Sequence, residues 1–183
     1  MKQGRENMIE YPQFFDLLCR RYSCRKYDNA SVSREMLMAI MEAARFSQSA
    51  CNKQPWKFLI IDEPELKDVV FKSYDRDWIR DAGAFIVVLG NKSEAWSRGY
   101  DGRSSMDIDI AIACENICLA TATLGLGACW IGNFDVNPLI EGFSIPEEWE
   151  PVAIISIGYP KDPHEQPEKK RKNIDEIVKW GKF

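Results

Sequence analysis

From about Asp107 to Leu124 the chain is apolar on nearly every face that a helix would present, and Gly125 follows as a natural stop. Such a helix has to be surrounded on all sides. With 183 residues in total, one chain has little left to do this, so the segment predicts a central helix that a second copy helps to cover. Its most apolar part, Ile110 to Leu124, is interrupted by Glu115 and Asn116. It therefore reads as a buried helix of a soluble protein, short of the ~18 uninterrupted apolar residues of a membrane span.

The segments around it are shorter. Pro12 to Arg20 sets Phe14, Phe15, Leu17 and Leu18 among polar residues and predicts a short amphipathic helix. Ser33 can cap a helix whose Met36, Leu37, Ile40, Met41 and Ala44 recur at helical spacing. The polar stretch SQSACNKQP, Ser47 to Pro55, ends it. Trp56 to Ile61 and Ala84 to Leu89 are apolar runs with β-branched residues, read as strands covered on both faces, with a helix from Pro64 to about Tyr74 between them. Ala128 to Ile131 and Val152 to Ile157 are further short strands. Asn91 to Met106, with Trp96 and Tyr100, is the longest irregular stretch and has the length of a lid or binding element. A polar tail with Pro160, Pro163 and Pro167 leads through KKRK to a short helical pattern around Ile174 to Trp180. Helices and strands mixed without regular alternation predict an α+β domain over residues 1–183, with 160–183 as a C-terminal extension that could reach across a partner.

Composition narrows the chemistry. A hydrophobic share of 45% supplies a core and excludes disorder for most of the chain. The net charge of -4 provides no global cationic field, so nucleic acid and anionic membrane are not expected partners, and an anionic ligand must be held locally. Cysteines at 19, 24, 51, 114, 118 and 129 lack paired short spacings and read as reduced thiols; with MKQGRENMIEYPQ showing no apolar run at the amino terminus, the expected compartment is cytoplasmic. The single histidine, His164, lies in a proline-flanked polar segment, which leaves little room for a histidine-based hydrolase beyond a Cys51–His164 pairing. Cys114 and Cys118 share a helix face without a second ligand pair, so no metal site is expected. Gly125, Gly127 and Gly132 spell no phosphate-binding fingerprint. Cations are dense at two remote places, Arg20, Arg21, Arg25 and Lys26, then Lys169, Lys170, Arg171 and Lys172. Each reads as a solvated face, or the two could converge on one phosphate.

Five stretches taken in order resemble the nitroreductase family of FMN-dependent oxidoreductases: RRYSCRKYD, SQSACNKQPWKF, DWIRDAGAFIVVL, DIAIACENICLATATLGLGACWIGNFD, and PVAIISIGYP followed by KKRKNIDEIV. The resemblance implies a central mixed, mostly antiparallel sheet flanked by helices, in an entwined homodimer with FMN at the interface and the C-terminal tail crossing to the partner. Carried over by position, Arg21, Tyr22, Ser23 and Arg25 would contact FMN, with Arg21 toward the phosphate and Arg25 toward the pyrimidine edge. Gln48, Ser49, Ala50 and Asn52 would meet the flavin of the other subunit. Trp130, Ile131 and Gly132 match the flavin-facing loop, Gly132 by a backbone N–H toward N5, and Lys169 and Arg171 match a phosphate-binding pair. The family often has glycine where this chain has Cys51.

The implied activity is hydride transfer from NADH or NADPH through the flavin to an electron-poor small molecule such as a nitroaromatic or quinone, in ping-pong order. No protein side chain is expected to act as acid or base; Arg25 and Gly132 would tune the flavin. Dehalogenation, enal reduction and non-catalytic flavin binding are the alternatives.

Overall fold

The structure is a computed structural model and describes residues 11–164 and 167–183. The amino-terminal stretch 1–10, read above for leader character, lies outside the described residues. Four strands form one sheet in the order β1-β2-β4-β3: β1 Trp56–Ile61, β2 Ala84–Gly90, β3 Gly127–Ile131 and β4 Glu150–Gly158. All three pairings are antiparallel, with Leu59 opposite Val87, Val87 opposite Ile154, and Ile131 also opposite Ile154. Among the described residues the parallel component is a single bridge, between Ser23 and Ala128 of β3.

The period-2 alternation of the strands divides the core into two layers. Ile86, Val88, Ala128, Ile155 and Ile157 face α2 (Arg34–Arg45) and α4 (Met106–Thr123). Phe85, Val87, Ile131 and Ile154 face α3 (Pro64–Ser73) and α5 (Asn137–Gly142), with Tyr27 and Ile79 in the same layer. Burial on both faces, expected for the first two strands, holds along the whole of β2 and only partly along β1, because β1 is the sheet edge and has no neighbour beyond it.

The helices follow their caps and stripes. Ser33 accepts a hydrogen bond from the Met36 N–H and starts α2, whose Leu37, Ile40 and Ala44 are buried. α4 ends where Gly125 takes a left-handed conformation. It buries Ile110, Cys114, Ile117 and Thr121 inside the chain, while Ile108 is 52% exposed. The amphipathic α1 (Tyr11–Arg20) has no buried residue. α5 has no counterpart in the sequence reading, and the tail forms only the one-turn α6 (Ile174–Ile177), where Asn173 and Glu176 make a reciprocal cap. Among the described residues no helix is long and apolar enough to cross a membrane.

Candidate active site

The segment after α1 runs beside β3, with Ser23 bridged to Ala128. Cys24 and Tyr27 turn inward, whereas Ser23 and Arg25 are exposed on the outer face. Its backbone is stitched to the start of β3 by Cys24 N–H donating to the Ala128 carbonyl at 2.9 Å, and to the chain after β4 by Asp28 N–H to Tyr159 and Lys161 N–H to the Lys26 carbonyl. Two glycines permit this close crossing. A Cβ on Gly127 would lie 2.6 Å from the Cys24 Cβ, and one on Gly158 would lie 2.8 Å from the Tyr27 ring. Beneath it, the Tyr27 hydroxyl shares a 2.9 Å hydrogen bond with Ser156 Oγ and donates toward the Cys24 carbonyl at 3.0 Å. Burial holds the Tyr27 phenol well above its ordinary pKa, so the hydroxyl stays a donor.

The two cationic clusters come together on this platform. Lys169 Nζ donates to the carbonyls of Leu18 and Arg21, which satisfies backbone oxygens at the end of α1 and ties the tail to its own chain. Partial burial, with Arg21 and Arg171 nearby, pulls the Lys169 ammonium below the ordinary lysine pKa. Arg21 has a carboxylate, Glu115, only at 4.0 Å. A cleft of about 170 Å³ opens beside it, lined by Arg20, Arg21, Tyr22, Cys118, Ala122 and the 125–128 turn, with Pro160 and Pro163 of the tail. A second cleft of about 130 Å³ lies along Tyr22 to Lys26, against Asp162 and Pro167. Arg171 is exposed, its guanidinium on the Lys170 carbonyl.

At the end of β3, Trp130 is 39% exposed and Gly132 is open, with nothing within 4 Å of where its Cβ would stand. Ile131 differs: its side chain is buried in the core, which leaves only its backbone available to a ligand.

The Gln48–Asn52 group forms a separate constellation. Ala50, Cys51 and Asn52 make a 3-10 turn in which Cys51 has φ 51° and Asn52 φ 53°, followed by Gln54 at φ 50°. Left-handed backbone costs a non-glycine residue roughly 1–2 kcal/mol, a cost that glycine at position 51 would not carry. The Ser49 hydroxyl oxygen accepts the Gln54 N–H at 2.9 Å, and Asn52 Oδ1 accepts from Gln54 Nε2 at 3.1 Å. Gln48 is exposed. Asp109, unremarked in the sequence reading, and Asn116, read there only as a break in an apolar run, hold this loop to α4. Asp109 Oδ1 accepts the Ala50 N–H at 2.9 Å, and Asn116 Nδ2 donates to Ser47 Oγ at 2.8 Å. They lie one heptad apart and so share a face. A polar residue inside an otherwise apolar helix was the signal that could have found them.

The structure therefore sets the Arg21–Arg25 segment against β3 through the Ser23–Ala128 bridge and brings Lys169 and Arg171 to Arg21, places Trp130 and Gly132 farther along β3, and leaves Gln48, Ser49, Ala50 and Asn52 in a separate turn held to α4. Arg21 meets α4 at Glu115 and Ala50 meets it at Asp109, roughly 9 Å apart along the axis and about a third of a turn around it. His164 stands exposed on the tail, with its backbone N–H on the Asp162 carboxylate, and all six cysteines are free thiols.

The sequence pattern of the nitroreductase family matches residues 18–75 and 67–159, and the chain belongs to that family of oxidoreductases. A nitroreductase family protein from Clostridium difficile 630 is 33% identical and superposes with a TM-score of 0.82, covering 92% of this chain and 98% of its own. An oxygen-insensitive NADPH nitroreductase of Helicobacter acinonychis (strain Sheeba) is 28% identical over 90% of this chain and 94% of that protein. A structure described as an oxidoreductase containing FMN superposes with a TM-score of 0.79 over 97% of this chain and 94% of that one at 21% identity, a likeness of fold.

Proposed function

We propose that the chain is an FMN-dependent NAD(P)H oxidoreductase over residues 1–183, working as a cytoplasmic homodimer on electron-poor small molecules such as nitroaromatics or quinones. The observation that carries this reading is the meeting of Arg21, Lys169 and Arg171, where partial burial and the two guanidiniums depress the Lys169 ammonium and where, among the described residues, the one carboxylate paired with Arg21 is Glu115 at 4.0 Å. A dianionic phosphate answers that charge. The rest of the donor set fits FMN as well: an arginine four residues on at Arg25, an exposed aromatic face at Trp130 and an open backbone at Gly132.

When bound, FMN supplies two-electron hydride chemistry at N5, which no side chain of this chain provides. The residues bind and orient. Arg21, Lys169 and Arg171 receive the phosphate, and Tyr22 and Ser23 line its approach. Arg25 places a fixed positive charge at the pyrimidine edge, where reduction adds negative charge. Gly132 lets the backbone N–H come close to the ring because no Cβ intervenes. Ile131 contributes backbone alone.

The second constellation belongs to the flavin of a partner. The two clefts beside Arg21, about 170 Å³ and 130 Å³, are each below the ~300 Å³ at which ligand pockets usually begin, which supports a second copy supplying another wall through Gln48, Ser49, Ala50 and Asn52. With one open face for both, nicotinamide and acceptor use the same place in turn, which is ping-pong order.

Purified protein is expected to carry flavin absorbance that bleaches anaerobically on addition of NADH or NADPH and returns with a quinone or nitroaromatic. A colourless chain that takes up no FMN overturns the reading. Flavin bands that neither nicotinamide bleaches would make the chain a flavin-binding protein without turnover.

A further inference from the structure

Asp109 is 2% exposed, and both of its carboxylate oxygens are engaged. Oδ1 accepts the Ala50 N–H at 2.9 Å, and Oδ2 accepts the Ser105 hydroxyl at 2.8 Å. These two partners belong to different structures. Ala50 opens the left-handed turn of the 48–54 loop. Ser105 closes the excursion between β2 and α4, which is a hairpin rather than an irregular lid: Ser97 bridges Ser104, Arg98 and Arg103 are joined through their backbones, Ser105 N–H returns to the Trp96 carbonyl, and Arg98 clasps Asp101. Tyr100 stands fully exposed at its tip.

We infer that Asp109 is a positioning residue, whose buried carboxylate couples the base of the 97–104 hairpin to the 48–54 loop and thereby sets the conformation in which Gln48, Ser49 and Asn52 are presented to the partner's flavin. The flavin half of this inference rests on the reading under Proposed function. The physical case is that a buried polar oxygen left without its donor costs free energy, so each hydrogen bond to Asp109 resists loss. Neither the loop nor the hairpin can shift without leaving an unanswered oxygen on Asp109. The loop has a corresponding need, since Cys51, Asn52 and Gln54 hold a backbone they would not adopt unaided. Asn116, on the same face of α4, holds Ser47 and fixes where the loop departs from α2, whereas Asp109 fixes its turn. The hairpin is thus positioned to pass a shift at its aromatic tip to the flavin-facing loop.

The test compares the full chain with Asp109→Ala, Asp109→Asn and Ser105→Ala. The first readout is amide hydrogen exchange at Ala50 without added flavin, and the second is FMN affinity together with the visible circular dichroism of bound flavin. Asp109→Ala is expected to speed Ala50 exchange at least 100-fold, weaken FMN at least tenfold and alter the dichroism. Asp109→Asn, whose amide can accept from Ala50 and donate to Ser105 Oγ, should stay within threefold of wild type in both rates and affinity. Ser105→Ala keeps the Ala50 bond and loosens the hairpin, so it should raise exchange across 96–105 and, more weakly, at Ala50; this variant carries the test if Asp109→Ala fails to fold. Unchanged Ala50 exchange in Asp109→Ala overturns the anchoring. Faster exchange with unchanged FMN affinity and dichroism overturns the positioning role. A wild-type chain that takes up no FMN overturns the flavin reading instead, and the exchange comparison still decides whether Asp109 couples hairpin and loop.

Discussion

Arg21 and Arg25 differ in surroundings although they sit on the same extended stretch. Arg21 is held between Glu115 and the Lys169 end of the tail, with its side chain 22% exposed, while Arg25 stands on the outer face. Removing Arg21 takes away a charge-assisted contact of roughly 1.5–3 kcal/mol, so Arg21→Ala should weaken FMN retention ten- to a hundredfold. Arg25→Ala should instead lower the two-electron flavin potential by tens of millivolts, at roughly 30 mV per 1.4 kcal/mol, with a smaller loss of affinity. Equilibrium dialysis and a redox titration separate the two, and equal, negligible effects in both variants would count against the assignment. These arginines were legible because cations cluster at two remote places and only convergence gives them a common purpose. Asp109 was not, because Asp107 and Asp109 together in the first turn of a helix ordinarily read as solvated, dipole-favoured residues.

At the scale of elements, α4 was the most legible part of the chain, since eighteen residues of nearly unbroken apolar character admit few placements; the expected and observed limits differ by one residue at each end. β1 and β2 were legible for a similar reason, as β-branched runs bounded by turn residues. α5 escaped because six residues carry too few turns for periodicity to register, and only Pro138 near its start marks it. The hairpin escaped because its pairing depends on backbone bonds between Arg98 and Arg103 that no side-chain pattern advertises. α4 also carries a pH dependence. Burial pushes the Cys114 and Cys118 thiols up to about 12. Their unfolded-state values lie near 8.5, so between about pH 9 and 12 the native state keeps protons that the unfolded chain has released, and stability falls as pH rises through that window. Two thiols give a slope of about 2.7 kcal/mol per pH unit, about 1.4 each. Urea unfolding from pH 8 to 11 should show the decline, and Cys118→Ala should remove about half of that part of it. A flat profile, or the same slope in the variant, would show that these thiols are not the linked groups.

For the whole molecule, the question is what covers the surfaces that one chain leaves open. On α4 Ile108 and Glu115, which are exposed, and Ile112 and Leu119, which are half-buried, follow helical spacing, as a contact stripe does. α1 presents Phe14 and Phe15 about half exposed, and α6 buries nothing. Obligate dimers bury apolar stripes of this kind, in interfaces of ~2,000 Å² or more. The proposed site needs the same partner, because its two constellations lie on different sides of α4 in a single chain. These requirements meet at Ile108, next in sequence to the residue that anchors the 48–54 loop. A free monomer should tolerate a polar side chain at a half-exposed position to within ~0.5 kcal/mol, whereas a dimer seam would be forced to bury a charge. Ile108→Glu is therefore expected to shift sedimentation from twice the 21.1 kDa chain mass toward the single chain and to release FMN at least tenfold more readily, with the circular dichroism of the backbone unchanged. Dilution of the wild type to nanomolar concentration should produce the same coupled loss of partner and flavin. A monomer that keeps its FMN, in the variant or on dilution, would mean that one chain completes the site and that the open stripe on α4 serves some other contact.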